Sequence, residues 1–195
     1  GNGRADAVYR SRFAAPGRIV LGSEHLTLAA GAYGALALTA TEVELAAALA
    51  GAPVDVSLAP VWAIRLMGTL PPGVAAHDLV CALALRYGDS GVGGAFIECF
   101  GPAIARLPMA ERITLARASA ALGARSVLLP SDAMTRAALK AQGREADWKS
   151  LESEPDGDAE HVDEIHLDTL EPLIVPDERW SRALPVRDLA GARVG

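Results

Sequence analysis

Cysteine is almost missing from this 195-residue chain: Cys81 and Cys99 are the only two. Both lie in apolar surroundings (Leu79-Val80-Cys81 and Ile97-Glu98-Cys99-Phe100), so they read as buried thiols and exclude a disulfide framework. Aromatic residues are scarce at 5%, which leaves alanine, leucine and valine to fill the core. Long apolar runs are absent too: Arg65, Asp78 and Arg86 interrupt every stretch that approaches a membrane span. The start, Gly1 to Asp6, has no apolar signal core, so a cytoplasmic location is the default expectation. Basic residues are outnumbered, 18 Lys and Arg against 24 Asp and Glu, for a net charge of −6. A nucleic-acid partner, which needs a basic surface, is not expected.

What is present is a globular composition, 51% hydrophobic and 22% charged, long enough for one sizeable domain. Arg18–Leu21 reads as a buried strand, and Gly31–Ala37 is a small, permissive run suited to close backbone approach. Thr41-Glu42-Val43-Glu44 is a capping box opening a helix through Leu49. Strand formers occupy Val54–Leu58 and Val61–Met67, with Pro60 as a break. Helical spacing follows over Asp78–Tyr87, stopped by Gly88, and over Pro108–Leu122, closed by Gly123. Ala95–Ile97 and Ser126–Leu129 read as further strands, and Ser131 as the cap of a helix to about Ala141. Glu152–Glu164 reads as an acidic loop, and Glu164–Val175 returns to strand-like content. Alternating strands and helices predict a single layered α/β/α domain over residues 1–175 with a largely parallel sheet, followed by a loosely packed tail over 176–195. Gly88–Gly94 is no phosphate loop, since no lysine follows and a strand comes next.

Three blocks carry a family resemblance. The first is Pro16-Gly17-Arg18-Ile19-Val20-Leu21-Gly22-Ser23-Glu24-His25 with Gly31–Ala37. The second is Leu70-Pro71-Pro72-Gly73-Val74-Ala75-Ala76-His77-Asp78, continuing through Phe96-Ile97-Glu98 to Gly123-Ala124-Arg125. The third joins Trp148–Leu151 to Ile165-His166-Leu167-Asp168. In order and spacing these resemble the large subunit of the aconitase and isopropylmalate dehydratase family, whose second block reads Leu-Pro-Pro-Gly-Val-x-x-Lys-Asp. The resemblance implies an aconitase-like α/β fold. It also implies catalytic roles for His25, on the family's signature histidine, and Glu98, on the glutamate that partners it. A carboxylate beside an imidazole sets its tautomer and raises its basicity. Ser23, Glu24 and Leu26 depart from the family's Asp, Ser and Thr, and Arg117 stands where the family has asparagine.

The family's iron–sulfur cluster is held by three cysteines in a later segment, and neither Cys81 nor Cys99 falls on them. The expectation is therefore a cluster-free relative without the iron Lewis acid, a contribution of several kcal/mol to such chemistry. No other metal is expected, because His161 and His166 match no zinc spacing. Hydration, dehydration or isomerisation of a small carboxylate through His25 and Glu98 is one reading, with Ser23, Glu24, Arg112 and Arg117 as substrate-binding candidates. The other is a non-catalytic binding or assembly subunit on the same scaffold, where His25 and Glu98 are structural. A third, a piece of a longer cluster protein, predicts exposed apolar surface. The resemblance also implies a partner, either a small swivelling dehydratase-like subunit or a second copy.

Overall fold

A computed structural model of the chain describes residues 4–153 and 159–191. A first helix, α1 (Ala5–Arg12), precedes two short strands, β1 (Ile19–Gly22) and β2 (Leu36–Thr39), which pair in parallel. Between them the chain makes tight 3-10 turns over His25–Tyr33, buried from Leu28 onward. Here the small residues have a reason: a Cβ on Gly31 would stand 1.8 Å from the Val127 carbonyl oxygen. Only glycine admits that approach.

The main sheet is wholly parallel, in the order β5-β4-β3-β6, from β3 (Val61–Met67), β4 (Phe96–Phe100), β5 (Ser126–Leu128) and β6 (His161–His166). Helices α2 (Glu42–Leu49), α3 (Ala76–Tyr87), α4 (Met109–Ala118) and α5 (Ala133–Ala141) connect the strands, giving the anticipated α/β architecture. The capping box of α2 forms as read, with the Thr41 amide donating to Glu44 at 2.7 Å. Alternation assigns the two sheet faces. Trp62, Ile97, Asp163 and their even-spaced neighbours face α3, whose Tyr87 packs edge-on to Trp62 and donates to Asp163. Ala63, Arg65, Glu98, Phe100, Val162 and Glu164 face the other way.

Four readings are corrected. Residues 54–58 stay unpaired: only Val54 is even partly shielded, so no core rewards a strand there. The presumed acidic loop contains β6, hidden from pattern reading because its inward positions include an acid. Asp163 is accommodated by Tyr87 at 3.0 Å and Arg86 at 2.6 Å. Asp132, not Ser131, caps α5, accepting from the amides of Met134 and Thr135. Of the expected tail, Leu184–Pro185 forms β8, paired antiparallel to β7 (Leu173–Ile174), and Ala183 is buried, while residues 192–195 lie outside the described residues.

The largest buried side chain is charged. Arg112 on α4 is 0% exposed and grips Asp132 with both Nη atoms, at 2.9 and 2.6 Å. It also donates to the carbonyls of Ile104 at 2.7 Å and Leu107 at 3.1 Å. Burial opposes ionisation of Asp132, but the guanidinium and the two cap amides outweigh it and hold the carboxyl below its ordinary value. Asp132→Ala leaves a buried unpaired guanidinium, and should cost about 3–5 kcal/mol in urea unfolding at pH 7. A folded pKa below the unfolded one, near 4, gives stability that is present above that value and fades as pH falls through the folded one. The gap between wild type and variant should therefore narrow in acid.

Candidate functional site

A cleft of about 450 Å³ gathers His25, His77, Arg117, Trp180 and Glu24 from four separate segments. His25 starts the 3-10 stretch after β1, His77 lies in the first turn of α3, and Arg117 in the last turn of α4. Trp180 belongs to a 3-10 turn over Trp180–Arg182. Asp78 assembles this corner. One carboxylate oxygen accepts from the Ala75 amide at 2.8 Å, capping α3, and the other accepts from the Leu173 amide at 2.7 Å. That ties the C-terminal segment across the helix start and brings the Trp180 ring to 4.6 Å from the His77 ring. A hydrogen bond from Ser181 to Asp89 holds the same turn.

Arg117 and His25 are exposed, and neither side chain has a hydrogen bond or ion pair with any described residue. An unpaired guanidinium beside two imidazoles is a receptor for a small anion. Ala118, Ala120, Ala121 and Leu26 give the cleft an apolar wall.

The other predicted residues lie elsewhere. Glu98 and His25 do not meet, which corrects the pairing expected of them. Glu98 points to the sheet face opposite α3 and α4, while His25 shares its cleft with those helices. The Glu98 carboxylate accepts from Ser153 Oγ at 2.6 Å in a small hollow with Gly34 and Leu128. Ser23 and Glu24 line a second cleft of about 300 Å³ with Tyr9 and Thr27, so Glu24 stands between two cavities. Arg112 reaches neither cleft, because its guanidinium is consumed inside the fold.

Sequence reading missed His77 and Trp180. His77 occupies the position of the family's lysine in Leu-Pro-Pro-Gly-Val-x-x-Lys-Asp, a change from one cationic donor to another that could have marked it. Trp180 gave no such signal, since its place depends on Asp78, a hundred residues upstream.

The described residues do not fit an iron–sulfur cluster. Cys81 and Cys99 sit on α3 and β4, both buried. Burial, with Asp78 adding to it, pushes the Cys81 thiol up to about 11, and burial, with Glu98, pushes Cys99 up to about 12. Neutral thiols are poor ligands, and no group of three or more His, Cys, Asp or Glu side chains is placed to hold a metal among the described residues. No described helix is long and apolar enough to cross a membrane.

The chain is 29% identical over 174 residues to the 3-isopropylmalate dehydratase large subunit 1 of Thermotoga maritima, covering 89% of this chain and 42% of that protein. It is 28% identical over 199 residues to large subunit 2 of Archaeoglobus fulgidus, covering all of this chain and 47% of that protein. The large subunit of Pyrobaculum aerophilum is similar at 28% over 194 residues, 46% of its length. The chain thus spans less than half the length of the curated relatives it matches. The model of the aconitase family (aconitate hydratase) matches residues 7–192, so the chain belongs to the aconitase family.

Proposed function

We propose that the chain performs dehydratase-type chemistry on a small hydroxy-acid carboxylate in the His25 cleft. The observation that supports it is the unpaired Arg117 guanidinium, which opens into the same cavity as His25 and His77. Arg117 binds the carboxylate. One imidazole, His25, takes the proton from the carbon beside it as negative charge develops toward the held carboxylate. His77, held against Trp180, gives a proton to the departing hydroxyl, which leaves as water. Hydration is the same path reversed, and both in succession amount to isomerisation.

The relatives are named as large subunits, and a small swivelling dehydratase-like subunit is the partner this reading assigns to the chain. Its entry would exclude water from a cleft that is open here. The exposed apolar side chains Val43, Leu49 and Leu58 are what the reading as a piece of a longer cluster protein anticipates, whereas the exposed His25 does not favour a binding or assembly subunit.

Turnover of 3-isopropylmalate, with and without a small dehydratase subunit, tests the proposal. His25→Ala should lower kcat by roughly 10²–10⁴, and Arg117→Gln should act mainly through KM, about tenfold or more. Glu98→Gln, on the far sheet face, should leave both within about threefold. Full activity in His25→Ala ends the assignment, and a loss confined to Glu98→Gln returns the chemistry to the other face. Separately, neither thiol should react with iodoacetamide at pH 7.5 in the folded protein, and both should label once it is unfolded in urea.

A further inference from the structure

The main sheet reverses its winding at one point. From β3 the chain steps outward to β4 and then β5, and it returns past β3 to lay down β6 on the far side. In open parallel sheets such a reversal leaves a crevice beyond the carboxyl ends of the two strands that flank it, and small ligands bind there. The flanking strands here are β3 and β6, which finish together, Met67 in register with His166. The chain that leaves them stays close. Gly68 has a φ of 73°, and a Cβ on it would stand 1.9 Å from a carboxylate oxygen of Asp168.

A cavity of about 290 Å³ lies in this crevice, at the lower limit of small-molecule sites, which run from about 300 to 1,000 Å³. Leu70 and Val74 reach it from the chain after β3, Leu167 from the chain after β6, and Ala103 and Leu107 from the connection between β4 and α4. Leu167, Ala103 and Leu107 are buried, so the lining is aliphatic and fixed to the core. No lining residue is shared with the His25 cleft.

Two opposite charges open onto that lining. Arg106 is exposed at the end of the 3-10 turn Ile104–Arg106, and its guanidinium has no hydrogen bond or ion pair with any described residue. Glu111, half-buried in the first turn of α4, accepts from the Ala76 amide with one carboxylate oxygen at 2.6 Å, and its other oxygen has no partner among the described residues. The two side chains share the cavity without pairing with each other. A plain anion would satisfy Arg106 and be repelled by Glu111, and a plain cation would do the reverse. A wholly apolar molecule would strip water from both charges without replacing it. A small zwitterion with a hydrocarbon remainder meets all three demands at once.

We propose that this crevice binds a free α-amino acid with an aliphatic side chain. Its carboxylate is held by Arg106, its ammonium by Glu111, and its hydrocarbon lies against Leu70, Val74 and Leu107. The site stands apart from the His25 cleft and does not depend on the chemistry assigned there.

Isothermal titration calorimetry of L-valine into the full chain at pH 7.5, to roughly 10 mM, tests this. Saturable binding is expected. Isovalerate has the same skeleton without the ammonium, isobutylamine has it without the carboxylate, and glycine lacks the hydrocarbon; each should bind about tenfold or more weakly. R106Q and E111Q should each weaken L-valine by a similar factor, and glutamine at 111 still accepts from the Ala76 amide. Circular dichroism and thermal melts confirm that both variants fold. The cross-pairs assign the charges: R106Q should leave the weak binding of isobutylamine unchanged, and E111Q that of isovalerate. H25A should bind L-valine like wild type. Absence of saturable binding, equal affinity for isovalerate or isobutylamine, an affinity indifferent to R106Q and E111Q in folded protein, or its loss in H25A would each overturn the proposal.

Discussion

The arrangement of this chain hinges on a guanidinium taken wholly out of water. A buried charge is tolerated only when its hydrogen-bonding capacity is met, and Arg112 meets its own by gathering four segments. It joins α4, the carbonyls of Ile104 and Leu107 that precede it, the end of β5 near Pro130, and the cap of α5. A lysine has neither the fork to match Asp132 nor the extra donors to reach both carbonyls. Fixing Arg112 inward also fixes Arg117. Five residues carry a helix about 140° past a full turn, so anchoring one arginine in the core aims the other at solvent and the cleft. The structural arginine thereby positions the one to which we assign carboxylate binding.

A similar division of labour runs through Asp78 and its neighbour. Asp78 is nearly buried and spends its carboxylate on two backbone amides, that of Ala75 and that of Leu173, the latter 95 residues further along the chain. Next to it, His77 is exposed and faces the cleft. In both places a satisfied polar group within the fold sets the direction of an exposed cationic or basic one beside the cleft, Arg117 in the first and His77, whose Nδ1 lies 3.8 Å from the Cys81 sulfur, in the second. That is how a chain with few aromatic side chains and small aliphatic packing can still hold a polar cleft in shape.

The parts of the fold that could be read from residues alone were those governed by local rules. The α2 capping box, the stop at Gly123 in a left-handed conformation, and the strands at 61–67 and 96–100 follow from short-range propensity and turn chemistry. The misreadings all involve distant partners. β6 was masked by Asp163, an inward-facing acid acceptable only because Tyr87 and Arg86 come to it from α3. Residues 54–58 have strand-forming side chains but no neighbour to pair with. Ser131 reads as the cap from its residue type alone, and the helix instead starts from Asp132, whose carboxylate Arg112 holds in place. The candidate site followed the same division: His25 and Arg117 were legible as residue types, whereas their convergence with His77 and Trp180 depends on the C-terminal segment crossing α3.

The separation of Glu98 from His25 follows from the period of a strand. Along β4, Ile97 and Cys99 turn toward the helices, so Glu98 between them must turn away. No rotamer change brings it back, because the sheet itself lies between. Only a one-residue slip of β4 would do so, and that slip would drive Ile97 and Cys99, each 1% exposed, toward the opposite face while burying an acid against α3. The core opposes this exchange: two apolar side chains would leave their packing, and a second carboxylate would enter the face where Arg86 and Tyr87 are already taken by Asp163. Whatever chemistry Glu98 retains therefore belongs to the side of the sheet away from α3, where Arg65 stands two positions from it in register, and the proton transfer we propose for the cleft rests on imidazoles alone or on Glu24 at its edge.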